Sequence, residues 1–169
     1  MSRADDILRC ADIDLECVRV LLTEHALELL QIGSGEPLPG CFWGAPEAGI
    51  VGNRVFIRAD TPVHSLLHES CHLIVLSPGA RARVHTDASD CQQEEDATCY
   101  LQLLLADRIN EFGFLRACAD MDRWGYTFRL GSARAWFEED AEDAHAFLVE
   151  RGLLSVLAAP ALASATAAD

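Results

Sequence analysis

Thr61-Pro62-Val63-His64-Ser65-Leu66-Leu67-His68-Glu69-Ser70-Cys71-His72-Leu73-Ile74-Val75-Leu76-Ser77-Pro78-Gly79 is the stretch that fixes how the remainder of the chain is read. Threonine followed by proline is a helix start, the hydroxyl capping and the ring sitting at the first helical position. Ser77-Pro78-Gly79 is a stop signal. Between them lies H-E-x-x-H. Residues four apart share a helix face, so the imidazoles of His68 and His72 can reach one cation at about 2.0–2.1 Å. Glu69 projects beside them, where a carboxylate can take a proton from a water that the ion polarises. The plainer alternative is a pair of histidines that only pack or face solvent.

A catalytic zinc needs a third protein ligand and an open fourth position. Downstream, His85, Asp87, Asp90, Glu94, Glu95 and Asp96 are the candidates. The metzincin extension is excluded, because Leu73 to Pro78 supplies neither the glycine nor the third histidine of that motif. A helix from about Gln92 to Asn110 narrows the choice. Ala97, Tyr100, Leu101, Leu104 and Leu105 fall on one apolar stripe. Glu95 lies nearly opposite that stripe and is expected in solvent. Glu94 lies at its edge, where a carboxylate needs a partner because unpaired burial is costly. Glu94 is therefore the expected ligand, against the simpler reading of a first-turn acid favoured by the helix dipole. Asp96 borders the other edge and is shorter.

Two histidines in H-E-x-x-H, followed about twenty residues later by a glutamate on a second helix, resemble the gluzincin arrangement of zinc metallopeptidases. Glu94-Glu95-Asp96-Ala97 with Tyr100-Leu101 and Leu103-Leu104-Leu105 is also similar to the E-x-E-A-(N/D)-x-F-A-x-x-L-L segment of the ImmA/IrrE group. The resemblance covers roughly residues 50–106, about a third of the chain. Thr98 stands where that group has Asn or Asp, and Asp96 where it has Glu. The resemblance implies a small bacterial cytoplasmic peptidase, with zinc on His68, His72 and Glu94 and with Glu69 as general base. Its substrate would be a peptide or protein, a transcriptional regulator among the candidates.

Working outward, the other elements predict an α+β, mainly helical single domain over residues 1–157, with a flexible tail over 158–169. Domains most often run to about 100–150 residues, and half of these 169 are apolar, enough for a sizeable core. A helix capped by Asp12 or Asp14 is expected to run to about Gln31, on the spacing of Leu15, Val18, Leu21, Leu22, Leu27, Leu29 and Leu30. Glycines and prolines across 33–53 mark turns and short strands. Residues 53–58 read as a strand that could accept an extended substrate as an added strand. Helices are expected over 114–122 and 132–150, with a break at Trp124-Gly125-Tyr126.

Thirteen basic residues, all arginine, face 27 acids, for a formal charge of −14. Such a chain repels phosphate backbones and anionic lipid, which argues against nucleic acid and membrane as partners. The seven cysteines form no C-x-x-C pair. With no signal-peptide pattern, they fit a cytoplasmic location.

The remaining polar residues take modest readings. His64 is expected to be partly exposed, and His85 is a loop residue that could serve as an alternative ligand. Tyr126, Arg134 and His145 could each stabilise an oxyanion. Glu138-Glu139-Asp140 with Glu142-Asp143 reads as a cap and a solvated face. The leading expectation is a zinc-dependent peptidase with Glu69 as general base. The rivals are a regulatory or interaction protein whose zinc is structural or whose activity has lapsed, and a metal-free interaction domain.

Overall fold

In the computed structural model, which describes residues 6–88 and 91–154, a helix and a strand stand where apolar spacing predicts one long helix. Asp14 caps α1 (Leu15–Glu24) by accepting the Glu16 backbone N–H. Ala26 turns the chain with a φ of 56°, and the Leu27 N–H returns to the Leu22 carbonyl. Leu27 and Leu29 are then buried on the alternating pattern of β1 (Glu28–Gln31), with Glu28 exposed between them. A short apolar run satisfies either period, and the left-handed residue decides for the strand.

β2 (Gly49–Val51) and β3 (Arg54–Ile57) complete a three-stranded mixed sheet in the order β1-β3-β2. β3 pairs parallel with β1, Leu29 opposite Val55, and antiparallel with β2, Ile50 opposite Val55. Both edges of β3 are thus taken, which corrects the expectation that this segment could accept a substrate strand. The outer edge of β2 is engaged as well, since Ile50 donates to the Gly40 carbonyl and accepts from the Thr86 N–H. Two backbones cross tightly here. A Cβ on Gly40 would lie 2.1 Å from the Ile50 carbonyl oxygen, and one on Gly49 would lie 2.1 Å from that of Pro39. Only glycine fits either position.

α2 (Val63–Val75) carries the H-E-x-x-H motif and starts one residue later than expected, with Pro62 as its cap. Thr61 instead closes the turn from β3, its hydroxyl accepting the Arg58 N–H. The Val63 N–H, which a helix start leaves without an internal partner, donates to the Leu8 carbonyl. At the other end the Arg81 guanidinium donates to the Leu73 carbonyl. Every residue of α2 is buried except Glu69 and His72. A helix enclosed on all sides is a core element, and its two openings fall on the motif. Leu66, Leu67 and Leu73 are wholly enclosed, each contributing about 1.5–3 kcal/mol by burial.

Ser77 ends α2 by capping a short α3 (Pro78–Arg81). α4 (Gln92–Leu105) follows, shorter than expected because the chain tightens into a 3-10 turn at Ala106–Arg108. α5 (Gly113–Trp124) ends at Gly125, whose φ of 108° makes the expected break. The predicted 132–150 helix is two helices, α6 (Ala133–Glu139) and α7 (Glu142–Glu150). The architecture is the expected mainly helical α+β, drawn around one apolar core to which the sheet, α1, α2 and α4 to α7 all contribute. Cys10, Cys71, Cys99 and Cys118 are buried free thiols within it. Among the described residues no helix is long and apolar enough to cross a membrane. The expected 158–169 tail and the candidate ligand Asp90 lie outside the described residues.

Candidate metal centre and its cleft

α4 is sandwiched between α2 on one side and α5 and α7 on others, so it has more than one buried face. That is the reason Glu94 and Glu95 exchange roles relative to expectation. The apolar stripe packs away from α2, with Tyr100 stacked on Phe137 at 4.5 Å. The opposite stripe, Glu95, Thr98 and Gln102, turns toward the motif helix instead of toward water. Glu94 pairs with Arg151 at 3.1 Å and takes no part in the cluster. The helical-phase argument assumed a single buried face, and α4 has two.

The consequence is a compact three-donor group, His68, His72 and Glu95, that could hold a metal ion, its ligand atoms all within 4.8 Å of one another. Glu95 Oε1 lies 3.3 Å from His68 Nε2, and Oε2 lies 3.2 Å from His72 Nε2. Charged N–H···O bonds are usually tighter, about 2.7–2.9 Å. By contrast, two donors held about 2.0–2.1 Å from a tetrahedral ion stand about 3.3–3.4 Å apart. The spacing therefore fits shared coordination. The far side of each ring is also accounted for. His68 Nδ1 is 3.0 Å from the Gln102 side-chain oxygen, and His72 Nδ1 is 3.3 Å from the Thr98 hydroxyl. Gln102 is itself held by donating to the His64 carbonyl at 2.9 Å. An amide oxygen can only accept, so His68 Nδ1 carries a proton, and Nε2 is the ring atom left to face the group.

Burial alone would raise the Glu95 pKa, but hydrogen bonds from both imidazoles outweigh it and hold the carboxylate below its ordinary range. Glu69 goes the other way. Burial raises its pKa, and the neighbouring Glu47 and Glu95 carboxylates add to the effect against the opposing pull of the histidines. Both line a cleft of about 670 Å³ whose walls also include Phe42, Trp43, Glu47, Asp87, Trp124 and Tyr126. Glu47 accepts the Trp124 indole N–H at 3.0 Å, tying two walls together.

Of the other expected residues, Tyr126 lines the cleft with its ring 5.4 Å from that of His68. Arg134 is spent on Glu138, His145 packs against Tyr100, and Asp96 accepts from Gln92. None of these three lines the cleft. His85 is exposed, with Nδ1 2.7 Å from the Thr86 hydroxyl, and is no part of the donor group. His64 departs furthest from expectation. It is fully buried between Trp124 and Tyr126, and both of its ring nitrogens lack a hydrogen-bond partner. Thr98 and Gln102 were not expected in a site. Their signal is a polar residue at i, i+3 and i+7 of α4, beginning at Glu95, with Thr98 and Gln102 each flanked by apolar residues. Neither family models, nor curated proteins, nor solved structures match this chain.

Two outcomes follow from this geometry. Gln102→Leu removes the acceptor at His68 Nδ1 and should weaken metal affinity about 10–100-fold, the usual cost of losing a partner to a ligating histidine. Competition with a chromophoric chelator measures this, and an affinity unchanged within a factor of two would mean that Gln102 does not orient the ring. The second concerns acid. Burial, with lesser help from His68 and Arg9, lowers the His64 pKa from 6.5 to about 3, so the ring is neutral in the fold. Its contribution is complete above the unfolded value and is lost as pH falls from 6.5 toward 3. Metal-free protein should lose stability across that window, at up to about 1.4 kcal/mol per pH unit from this one group. Denaturant titration of His64→Phe should show a shallower acid slope; an identical slope would refute the assignment.

Proposed function

We propose that this chain is a zinc-dependent hydrolase acting on peptides, with the gluzincin arrangement of two histidines on one helix and a glutamate on the next. The observation that carries it is the convergence of His68 Nε2, His72 Nε2 and the Glu95 carboxylate beside an open cleft. Structural zinc sites are closed by four protein ligands, whereas catalytic ones keep a position for water or substrate. Among the described residues the group has three donors, and it faces the cleft. Two imidazoles and a carboxylate are a donor set suited to zinc. When bound, zinc would supply Lewis acidity, polarising the scissile carbonyl and bringing the pKa of a water toward about 7.

The chain's own groups do the rest. The Glu69 carboxylate has no hydrogen bond among the described residues and lines the cleft, which leaves it free to act as a general base. It takes a proton from the attacking water and delivers it to the leaving amine as the C–N bond breaks. Tyr126 keeps its proton, since burial pushes its pKa up, and it can therefore donate a hydrogen bond to the developing oxyanion. The cleft is large enough for several residues of an extended peptide. The test is a broad peptide library incubated at neutral pH with zinc-loaded protein and read by mass spectrometry. Chelator-sensitive cleavage is expected. The absence of any cleavage, with zinc bound stoichiometrically, would favour the regulatory or structural-zinc reading.

A further inference from the structure

Once Glu95 is assigned to the metal and Glu69 to proton transfer, two carboxylates in the cleft, Glu47 and Asp87, have no role in the chemistry. Neither is part of an ion pair among the described residues, and no arginine lines the cleft. Glu47 is fixed by the Trp124 indole, a neutral donor that leaves its charge uncompensated. Asp87 is exposed. At the mouth stand two large rings with little cover, Phe42 at 59% and Trp43 at 76% exposure, set edge to face at 5.0 Å. Aromatic faces left in water beside unpaired carboxylates suit one kind of side chain, a cation on an apolar stem. A guanidinium or ammonium over such a ring is attracted by the negative face of the π-system, more strongly where water is excluded. Another ring of the cleft, Trp124, already meets one, although Arg9 itself does not line the cleft: its guanidinium lies 5.8 Å from the ring centroid.

Resting on the peptidase reading above, the geometry points to a substrate specificity: the cleft selects peptides with arginine or lysine beside the scissile bond. The stem lies on Trp43 and Phe42, and the charge is met by Asp87 and Glu47. The overall charge of −14 acts in the same direction, drawing cationic peptides toward the mouth and repelling acidic ones. Arginine is expected to exceed lysine, because its planar group stacks on a ring while pairing with a carboxylate.

The experiment measures binding as well as turnover. Pentapeptides differing only in a central Arg, Lys, Ala or Glu are titrated into zinc-loaded Glu69→Gln protein by calorimetry, then offered to zinc-loaded wild type. Arg and Lys peptides should bind at least about tenfold more tightly than Ala, with Glu weakest, since each tenfold step is 1.4 kcal/mol. Asp87→Asn and Glu47→Gln should each shrink that ratio, and Trp43→Ala should lower Arg and Lys binding while leaving Ala unchanged. These changes are at the cleft mouth and keep size or surface exposure, and circular dichroism checks the fold. Equal binding of the Arg, Ala and Glu peptides overturns this inference, and hydrolysis of all of them in that case leaves the peptidase reading intact. Selective binding of cations without cleavage has the opposite meaning: the specificity stands and the peptidase reading falls.

Discussion

Glu69→Gln should leave fold and zinc content unchanged while lowering peptide hydrolysis by about 10²–10⁴-fold, the usual worth of a positioned general base. The residue is one of only two in α2 that are not fully buried, and it faces the cleft rather than the donor group. An amide keeps the size of the side chain and most of its hydrogen-bonding capacity but cannot accept a proton at neutral pH. Zinc content by elemental analysis and rates on any cleaved peptide are the two measurements. A mutant with zinc and undiminished turnover would remove Glu69 from the mechanism.

Glu95→Gln should weaken zinc binding by more than about 100-fold, beyond the 10–100-fold typical when an outer partner of a ligand is lost. Glu94→Gln should leave it nearly untouched. The two differ by one position and by 100° of helix rotation. Glu95 meets both imidazoles, whereas Glu94 meets Arg151, a partly exposed pair worth about 0–1 kcal/mol to stability. Competitive chelation resolves the two. If Glu94 proved the sensitive site, the orientation of α4 described above would be wrong by about 100° about its axis.

The contrast between these neighbours marks where sequence reasoning ended. H-E-x-x-H was legible because the motif and its helix are local: four-residue spacing places two rings together whatever surrounds them. The third donor was not, because its identity depends on what packs against α4, which no property of α4 itself records. A helix with one covered face buries its apolar stripe and sends Glu95 to water. With α2 on the opposite side, the same residue meets both imidazoles of the motif. The error at Glu28–Gln31 has a different source. Leu27, Leu29 and Leu30 satisfy both periods, and the deciding feature was the left-handed Ala26, a residue type that gives no warning of a turn. His64 was misjudged for the opposite reason: an ionisable residue is rarely enclosed without a partner, and this one is.

The crossing of Gly40 and Gly49 bears on how this molecule could change. It clamps the base of the segment that carries Phe42 and Trp43, on backbone atoms that tolerate no side chain, while the tip beyond it stands in solvent. The candidate metal donors sit on α2 and α4, and the crossing contributes none of them. The exposed tip of that segment, Phe42 to Ala45, is therefore separable from the donor group. It can be rewritten residue by residue while the donors behind it keep their places. A bulkier residue at either glycine would do the reverse, prising the whole mouth loose in one step. Sequence is free to drift at the tip and is locked at the crossing.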